Sequence, residues 1–482
     1  MLPSAWIIWS SLRPADRAGR RTAGRHAGSP PCLIFSPSAV HCASRRPRTL
    51  RAGARRGTVM AMIVAGPGNA GATGCSMKER LIRDIVLWMS EEGIRGLKEQ
   101  DLLAGFCKRC HAAGLPIDRA LGIIDTLHPE FEGRAFQWNS ESDGVPEVVH
   151  YGSTSGGEAQ ANWQRSVFFH MLSGNETERR TRLAEEQHVP FTILDTLKEE
   201  GHTDCVSMIH HFTDRGRIGQ MDCLYSYWTT KKQTGFREED LAALRTLLPT
   251  LALALKTASC MRIIGTLADV YLGRDAGRRV VEGSIERGSA ERIEAVMWFS
   301  DLRNYTRIAD SISPEDVIPF LNDYSGMAIT AVHDHGGSVL KLIGDGVLAI
   351  FNGRRPAEAC SAAIAAERQL RVMLSELNAR RLDEGKPTTD VYLGLHIGEV
   401  FYGNIGSQNR LDFTVVGPAV NEVSRISAMC RSVERHVIMS SEFIAACPVE
   451  HRANAVSLGR FALRGIARAK ELFTWDPEIA AG

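Results

Sequence analysis

Residues 336–351, GGSVLKLIGDGVLAIF, decide the fold of the C-terminal part of the chain. Two apolar runs of strand length, SVLKLI and VLAIF, flank a Gly-Asp-Gly triplet that is typical of a tight turn. The stretch therefore predicts a β-hairpin with Asp345 at its tip and Lys341 in its first strand. Because a charge in a half-buried strand needs a partner or a function, both side chains are candidates for a functional site.

The segments on either side of the hairpin complete a recognisable order of elements. The apolar run EAVMWFSDL, residues 294–302, predicts a buried strand that ends near Asp301. The sequence SPED at 313–316 opens a helix, with serine as cap, proline in the first turn and acids where the helix dipole favours them. A helix over 357–381 and a strand over 391–398 follow the hairpin. The order βαββαβ predicts an α+β, ferredoxin-like domain.

The predicted sheet brings two carboxylates together. In a βαββαβ sheet the first strand and the hairpin can lie side by side, so the ends that carry Asp301 and Asp345 converge on one edge. Adjacent carboxylates repel each other unless one is protonated or a cation lies between them. Oxygen ligands of this kind suit Mg²⁺ or Mn²⁺. Taken singly, each aspartate could instead be a plain turn or helix-start residue, but the pair favours a metal site.

Four stretches of the C-terminal region resemble, in order and spacing, the motifs of the class III adenylate and guanylate cyclases. They are FSDLRNYT (299–306), GGSVLKLIGDGVLAIF (336–351), LHIGEVFYGNIG (395–406) and FTVVGPAVNEVSRI (413–426). The resemblance, to the bacterial, soluble type with threonine in the last motif, implies a catalytic domain over residues 289–482. It implies formation of a 3′,5′-cyclic nucleotide and pyrophosphate. Since this family places its sites between two such domains, it also implies a homodimer with two equivalent sites.

The resemblance assigns metal and base-binding roles. Asp301 and Asp345 match the aspartates that hold two Mg²⁺ or Mn²⁺ ions per site, and Lys341 and Thr414 match the positions that read the purine. A lysine with a threonine is the combination associated with ATP, since a donor and a hydroxyl satisfy adenine N1 and its 6-amino group. Guanine would favour an acidic acceptor where Lys341 stands. An adenylate cyclase is therefore expected, and a guanylate cyclase is the alternative.

The resemblance also assigns the groups that act on sugar and phosphate. Asn421 matches the asparagine that orients the ribose, and Arg425 matches the arginine that stabilises the transition state. Their spacing of four residues places them on one face of the predicted helix, where one surface can position a sugar and clamp a phosphate. Arg464 resembles a cationic position that contacts the triphosphate.

Two positions depart from the family pattern. Asn304 stands where the family usually has glycine in a loop that wraps the phosphates, and Pro418 stands where many members have aspartate. Asparagine tolerates positive φ better than most residues, but it adds bulk near the ligand. Neither change removes a catalytic group, so we expect effects on rate or metal preference rather than loss of activity.

Two other classes of function are compatible with parts of this pattern. A non-catalytic, nucleotide-binding or dimerising module would not need both metal ligands together with Arg425, so retention of the whole set argues against it. A diguanylate cyclase shares a βαββαβ core, but its hairpin turn carries a second acid that IGDGV lacks.

Residues 77–257 predict a mixed α/β regulatory domain that loosely resembles GAF-type sensors, with an unidentified small ligand or signal as its partner. Residues 258–288, charged and punctuated by glycine, predict a linker. Near the end of this domain, leucines at spacings of three and four predict a dimerising helix, with an amphipathic helix packed on its own domain as the alternative. The leucines are Leu241, Leu244, Leu248, Leu251 and Leu255. Pro249 should kink or break this helix.

Residues 1–76 differ in composition from the rest of the chain. They hold eleven arginines, no lysine and a single acid, and they are rich in Ala, Gly, Ser and Pro, which predicts a disordered extension or a start assigned too far upstream. The remaining chain is acidic on balance, so no nucleic-acid partner is expected. No run of about 18 uninterrupted apolar residues occurs, which predicts a cytoplasmic protein without an integral membrane segment.

Overall fold

The computed structural model describes residues 77–142, 146–185, 191–212 and 218–475. The prediction of a disordered extension over 1–76 lies outside the described residues. The described chain forms two sheets, one in the N-terminal half and one in the C-terminal half, and each sheet is buried by helices on both faces.

The N-terminal half contains six strands and seven helices in the described ranges. In chain order they are α1 Met77–Arg95, α2 Glu99–Ala112, β1 Arg119–Asp125, β2 Gly133–Asn139, β3 Glu147–Tyr151, α3 Gly157–Gln164, α4 Val167–Ser173, β4 Glu178–Thr181, α5 Thr192–Glu199, β5 Asp204–His211, β6 Cys223–Thr230, α6 Glu238–Leu272 and α7 Arg274–Val281. The strands form an antiparallel sheet in the order β3-β2-β1-β6-β5-β4. Mixed helix and strand content is as predicted, whereas the resemblance to GAF-type sensors stays a prediction.

Helix α6 differs from the sequence-based expectation in its packing. The five leucines of the proposed seam are each at most 1% exposed and lie in the core formed with α1 and α2. The prediction that these leucines form a dimer seam is therefore wrong. The alternative, an amphipathic helix packed on its own domain, is what the structure shows. The reason is that a heptad spacing marks any apolar helix face, whether it meets a second chain or its own domain.

The segment between the two halves is also more regular than expected. Helix α6 continues to Leu272 and α7 covers Arg274–Val281, so most of the predicted linker over 258–288 is helical. Partly buried Leu267 and buried Ile263 extend the helix's contact with its domain, which explains why it does not end at 257. The helix also runs through Pro249 without a break.

The length and hydropathy of α6 would suffice to cross a membrane. Of its most apolar window of 18 residues, 44% is buried inside the protein. Among the described residues it is the one helix of this kind.

The C-terminal half contains eight strands and six helices in the described ranges. They are β7 Ala290–Leu302, α8 Tyr305–Ala309, α9 Pro314–Asp334, β8 Ser338–Ile343, β9 Gly346–Phe351, α10 Pro356–Asp383, β10 Val391–Ser407, β11 Arg410–Val416, α11 Pro418–Val433, β12 Val437–Ser440, α12 Ser441–Ala446, α13 Val449–Arg452, β13 Ala455–Phe461 and β14 Lys470–Trp475. The sheet order is β13-β14-β12-β10-β7-β9-β8, and β11 pairs with β10.

The centre of this second sheet has the predicted arrangement. Strands β10, β7, β9 and β8 lie side by side and are antiparallel throughout, which is the ferredoxin-like order for a βαββαβ unit. The β8–β9 hairpin and the helices on either side are thus confirmed. Strand β10 is longer than the predicted 391–398, because it pairs with β7 as far as Gly403 and its residues 401–407 pair with β11 to form the β10–β11 arm.

Candidate active site

The hairpin turn places Asp345 beside the end of β7. Ser300 of β7 pairs with Val347 of β9, and the Leu302 N–H donates to Asp345 Oδ2 at 3.2 Å. Gly344 has φ +64°, a left-handed conformation that glycine adopts without steric cost. The tight turn therefore holds the Asp345 carboxylate next to the Asp301 carboxylate, and both line one small pocket. The predicted convergence of the two aspartates is what the structure shows.

The electrostatics of this pair favour a bound cation. Burial, together with the charge of Asp345, raises the pKa of Asp301 to about 6. The Ser427 hydroxyl, 3.4 Å from Asp301 Oδ1, and the Arg431 charge act in the opposite direction. When two carboxylates lie side by side and one resists ionisation, a divalent ion between them stabilises the ionised form of both. The oxygen donors present fit Mg²⁺ or Mn²⁺, since these ions take carboxylate ligands and complete their shells with water and phosphate.

Lys341 does not point into free solvent but pairs with a residue that was not predicted. Its ammonium group forms an ion pair with Asp412 on β11. Thr414 lies two residues further along β11 and therefore on the same face of that strand. The structure thus groups Lys341, Asp412 and the half-buried Thr414 on neighbouring strands. In the sequence, the spacing of two residues between Asp412 and Thr414 could have indicated that Asp412 lies beside the predicted base-reading position.

Asn421 and Arg425 lie together on the exposed face of α11, as their spacing predicted. Among the described residues neither side chain has a hydrogen-bond or ion-pair partner, so both are available to a ligand. The opposite face of the helix packs closely on β10 because Gly394 has no side chain. A Cβ at Gly394 would lie 2.7 Å from the Ser427 backbone nitrogen.

A polar network that was not predicted supports the start of α11. Lys470 Nζ lies 2.8 Å from Glu422 Oε1 and 2.5 Å from Glu442 Oε1, and His396 Nδ1 lies 2.8 Å from Ser440 Oγ. In the described residues, the two carboxylates and the imidazole form the one group of three or more His, Cys, Asp or Glu side chains compact enough for a metal ion, and the Lys470 ammonium offsets one of the two carboxylate charges. Because Glu422 neighbours Asn421, the network holds this part of the helix in place.

The remaining predicted positions are exposed. Arg464 lies in the turn between β13 and β14. Asn304 has φ +56° at the start of α8, so asparagine adopts the left-handed conformation that a glycine would favour. Pro418 is the first residue of α11, where its missing N–H costs no helical hydrogen bond.

One copy of the chain does not join these groups into a single pocket. The pocket at Asp301 and Asp345 is lined by neighbouring residues of β7, α9 and β9, and its lining includes none of Lys341, Asn421 and Arg425. The edge that carries Asp301 and Asp345 and the face of α11 that carries Asn421 and Arg425 are thus separate surfaces of one copy of the chain.

Residues 289–475 match the model of the adenylate and guanylate cyclase catalytic domain family. The C-terminal domain belongs to this family. The match covers the βαββαβ unit, the β10–β11 arm, α11 and the final strands of the cyclase domain, and it does not extend to the N-terminal sheet.

Curated relatives resemble the cyclase domain at moderate identity. An adenylate cyclase from Anabaena cylindrica is 31% identical over 167 residues, which cover 34% of this chain and 33% of the relative. Adenylate cyclase 1 from Rhizobium meliloti is 29% identical over 184 residues, 37% of this chain and 27% of the relative. The chain therefore spans a third or less of the length of these relatives.

Solved structures similar to this chain include cyclases of both nucleotide classes. The adenylyl cyclase CyaB from P. aeruginosa is 22% identical with a TM-score of 0.36, and the match covers 39% of this chain and 96% of that one. The guanylyl cyclase Cya2 is 26% identical with a TM-score of 0.34, covering 38% and 92%.

Proposed function

We propose that the protein is an adenylate cyclase, which converts ATP into 3′,5′-cyclic AMP and pyrophosphate for cyclic nucleotide signalling. The convergence of Asp301 and Asp345 in one pocket carries this proposal, because it provides the acidic metal site that phosphoryl transfer requires. Membership of the cyclase family and the adenylate cyclase relatives support the choice of reaction.

In the proposed mechanism each set of side chains has one task. Asp301 and Asp345 would hold two Mg²⁺ or Mn²⁺ ions, which when bound would stabilise the charge of the triphosphate. Asn421 orients the ribose so that its 3′-oxygen faces the α-phosphorus, and Arg425 donates to the phosphate oxygens. The 3′-oxygen bonds to phosphorus as the bond to the bridging oxygen breaks, pyrophosphate leaves, and the hydroxyl proton passes to water. Arg464 contributes positive charge to the triphosphate site.

The base-reading group favours adenine. Lys341 supplies a donor for adenine N1, and the Thr414 hydroxyl accepts from the 6-amino group. The Asp412 carboxylate holds the Lys341 ammonium on the shared face of β8 and β11 and neutralises part of its charge. A guanylate cyclase is the second candidate, because the same Asp412 carboxylate would become an acceptor for guanine if Lys341 released it.

A homodimer would complete the site. Apolar side chains on the β8–β9 hairpin and the β10–β11 arm are unusually exposed: Leu342 is 54%, Phe401 52% and Val416 42% exposed. Contiguous exposed apolar surface typically marks an interface. A second copy that covers this surface would bring its own α11 toward the aspartate pocket and join the two surfaces that one protomer keeps apart.

A second exposed stripe supports the same assembly. Leu253, Met261, Ile264 and Tyr271 share the outer side of α6, opposite the leucines that are buried in the domain. Their exposure makes this stripe, rather than the predicted leucine seam, the candidate helix contact between two copies. We further propose a cytoplasmic location, since part of the most apolar stretch of α6 is buried inside the protein.

The test is cyclic nucleotide formation by the purified full chain with ATP or GTP and Mn²⁺ or Mg²⁺. The Asp345→Asn variant keeps the shape of the turn and removes the charge, while Asp383→Asn changes an exposed carboxylate at the end of α10. We expect cyclic AMP from ATP in the wild type and in Asp383→Asn, and a loss of at least 100-fold in Asp345→Asn. Absence of product from a folded, dimeric wild-type protein under all four conditions would refute the proposal.

A further inference from the structure

A cavity of about 520 Å³ lies in the N-terminal half, outside the cyclase domain. It is bordered by β1, β2 and β6 on one side and by α3 and α4 on the other. Its size is in the range of small-molecule sites, which are commonly 300–1,000 Å³. The sequence predicted a small ligand for this half of the chain, and this cavity is a place where such a ligand would fit.

The cavity follows from the way the sheet is covered. Alternation along β1 directs Leu121, Ile123 and Asp125 to the same face, and Tyr225 and Tyr227 of β6 lie on that face beside them. The opposite face is closed by the long helices and their leucines. On the cavity face, α3 has eight residues and none of them is buried, so it covers the sheet incompletely.

The polar groups of the cavity are acidic. Three carboxylates line it, those of Asp125, Glu132 and Asp222, and its lining contains no lysine, arginine or histidine. In the described ranges none of the three forms an ion pair. Tyr151 donates to Asp125 at 2.5 Å, the Thr154 hydroxyl donates to Glu132 at 2.8 Å, and all these donors are neutral. Within the described part of the chain, no cationic side chain therefore pairs with these three carboxylates.

A glycine in the neighbouring strand allows a specific contact that positions Asp125. A Cβ at Gly133 would lie 2.0 Å from the Tyr151 hydroxyl oxygen, so glycine makes the space through which that hydroxyl reaches Asp125. Burial raises the pKa of Asp125 to about 6, and the charges of Asp222 and Glu132 raise it too. The three carboxylates thus act on one another, and a cation placed among them would relieve their repulsion.

An aromatic wall faces the carboxylates. Trp163 and Tyr225 meet edge to face with ring centroids 5.6 Å apart, and Phe168 lies 5.5 Å from Tyr225. Aromatic faces attract organic cations and supply apolar contact. A metal ion is a poorer fit, because the three carboxylates are not among the residues whose ligand atoms lie within 4.8 Å of one another in the described chain.

We propose that this cavity binds a small organic cation, a primary amine or quaternary ammonium compound with an apolar body. The ammonium group lies among Asp125, Glu132 and Asp222, and the apolar body packs against the rings of Trp163 and Tyr225. The volume of the cavity, its aromatic rings and the three carboxylates that no described cation pairs with together support this class of ligand.

The test is calorimetric binding to the full chain with three probes of nearly the same shape. Phenethylamine is a cation at pH 7.5, 2-phenylethanol is neutral and phenylacetate is an anion; choline and cadaverine extend the cationic set. We expect at least one cation to bind and the neutral and anionic probes to bind at least tenfold more weakly, or not at all. Equal affinity for the three shape-matched probes, or no cation bound at 1 mM, would overturn the proposal.

Variants and a metal titration complete the design. Asp222→Asn should weaken binding of the cation about tenfold and leave the neutral probe unchanged, whereas Glu141→Gln, at an exposed carboxylate outside the cavity, should change neither. If Mg²⁺, Mn²⁺ or Ca²⁺ binds and depends on Asp222 while the amines do not, the site is a metal site and the proposal is wrong. Because binding is read directly, its outcome is independent of cyclase activity.

Discussion

Replacement of Gly394 by alanine should separate the catalytic helix from the sheet. The new Cβ would lie 2.7 Å from the Ser427 nitrogen and 2.8 Å from the Val423 carbonyl oxygen, whereas ordinary contacts begin near 3.4 Å. Both obstacles are backbone atoms of α11, so no side-chain rotation relieves them. The helix must move away from β10 by several tenths of an ångström, and it carries Asn421 and Arg425 with it.

The size of the effect follows from this displacement. A shift approaching 1 Å in catalytic groups can cost about 100-fold in rate, so we expect cyclase activity to fall about 10- to 100-fold. Overpacking in a buried interface costs about 1–3 kcal/mol, so the free energy of unfolding should fall by that amount. Initial rates of cyclic AMP formation and urea unfolding of the Gly394→Ala protein measure the two quantities separately.

Gly326→Ala is the matched control for this substitution. Gly326 lies in helix α9, and a Cβ there would meet no atom within 4 Å. Alanine in a helix is favoured over glycine, so the control should keep full activity and gain up to about 1 kcal/mol in stability. Wild-type activity and stability in Gly394→Ala would show that close packing of α11 on β10 does not position the catalytic groups.

Three further changes test other parts of the structure. Asp412→Asn should leave Lys341 without the partner that positions it toward adenine N1 and lower kcat/KM for ATP about tenfold; an unchanged kcat/KM for ATP would remove Asp412 from base selection. Arg425→Ala should lower kcat about 100-fold or more and leave the melting temperature unchanged, because the side chain is exposed; a large drop in melting temperature would contradict this. Glu99→Gln should cost about 3–5 kcal/mol at pH 7, because it breaks a buried pair with Arg134. Burial opposes ionisation of Glu99, but contacts with Arg262 and Arg134 outweigh it and lower its pKa below 4.5. This stability should therefore be lost as the pH falls from 4.5 through the lowered pKa, where urea unfolding of the two proteins should converge.

The elements of the cyclase domain followed from local patterns. The hairpin was readable because its two apolar runs and its Gly-Asp-Gly turn lie next to one another in sequence and pair with each other within 336–351. The helix predicted over 357–381 is observed as Pro356–Asp383, since its apolar face and its proline at the start are also local features. Elements whose partners are near in sequence could therefore be predicted.

Helix α6 shows where local patterns were insufficient. The spacing of Leu241, Leu244 and Leu248 is the same for a core-facing helix and for a dimer seam, so the sequence left two interpretations. Burial of these leucines against α1 and α2 decided between them. The helix ran beyond its predicted end at 257 because contacts with distant elements, such as those of buried Ile263, support its later turns.

The candidate site also has some features that local sequence patterns predicted and others that they did not. The sequence by itself determined membership of the cyclase family and predicted the site residues, because both depend on residue type and spacing within short motifs. Only the tertiary structure revealed that Asp412 pairs with Lys341, that Lys470 neutralises Glu422, and that three carboxylates share a cavity with aromatic rings. These contacts join strands and helices that are far apart in the chain. The spacing of residues along the sequence does not indicate which charged side chains meet in the folded protein.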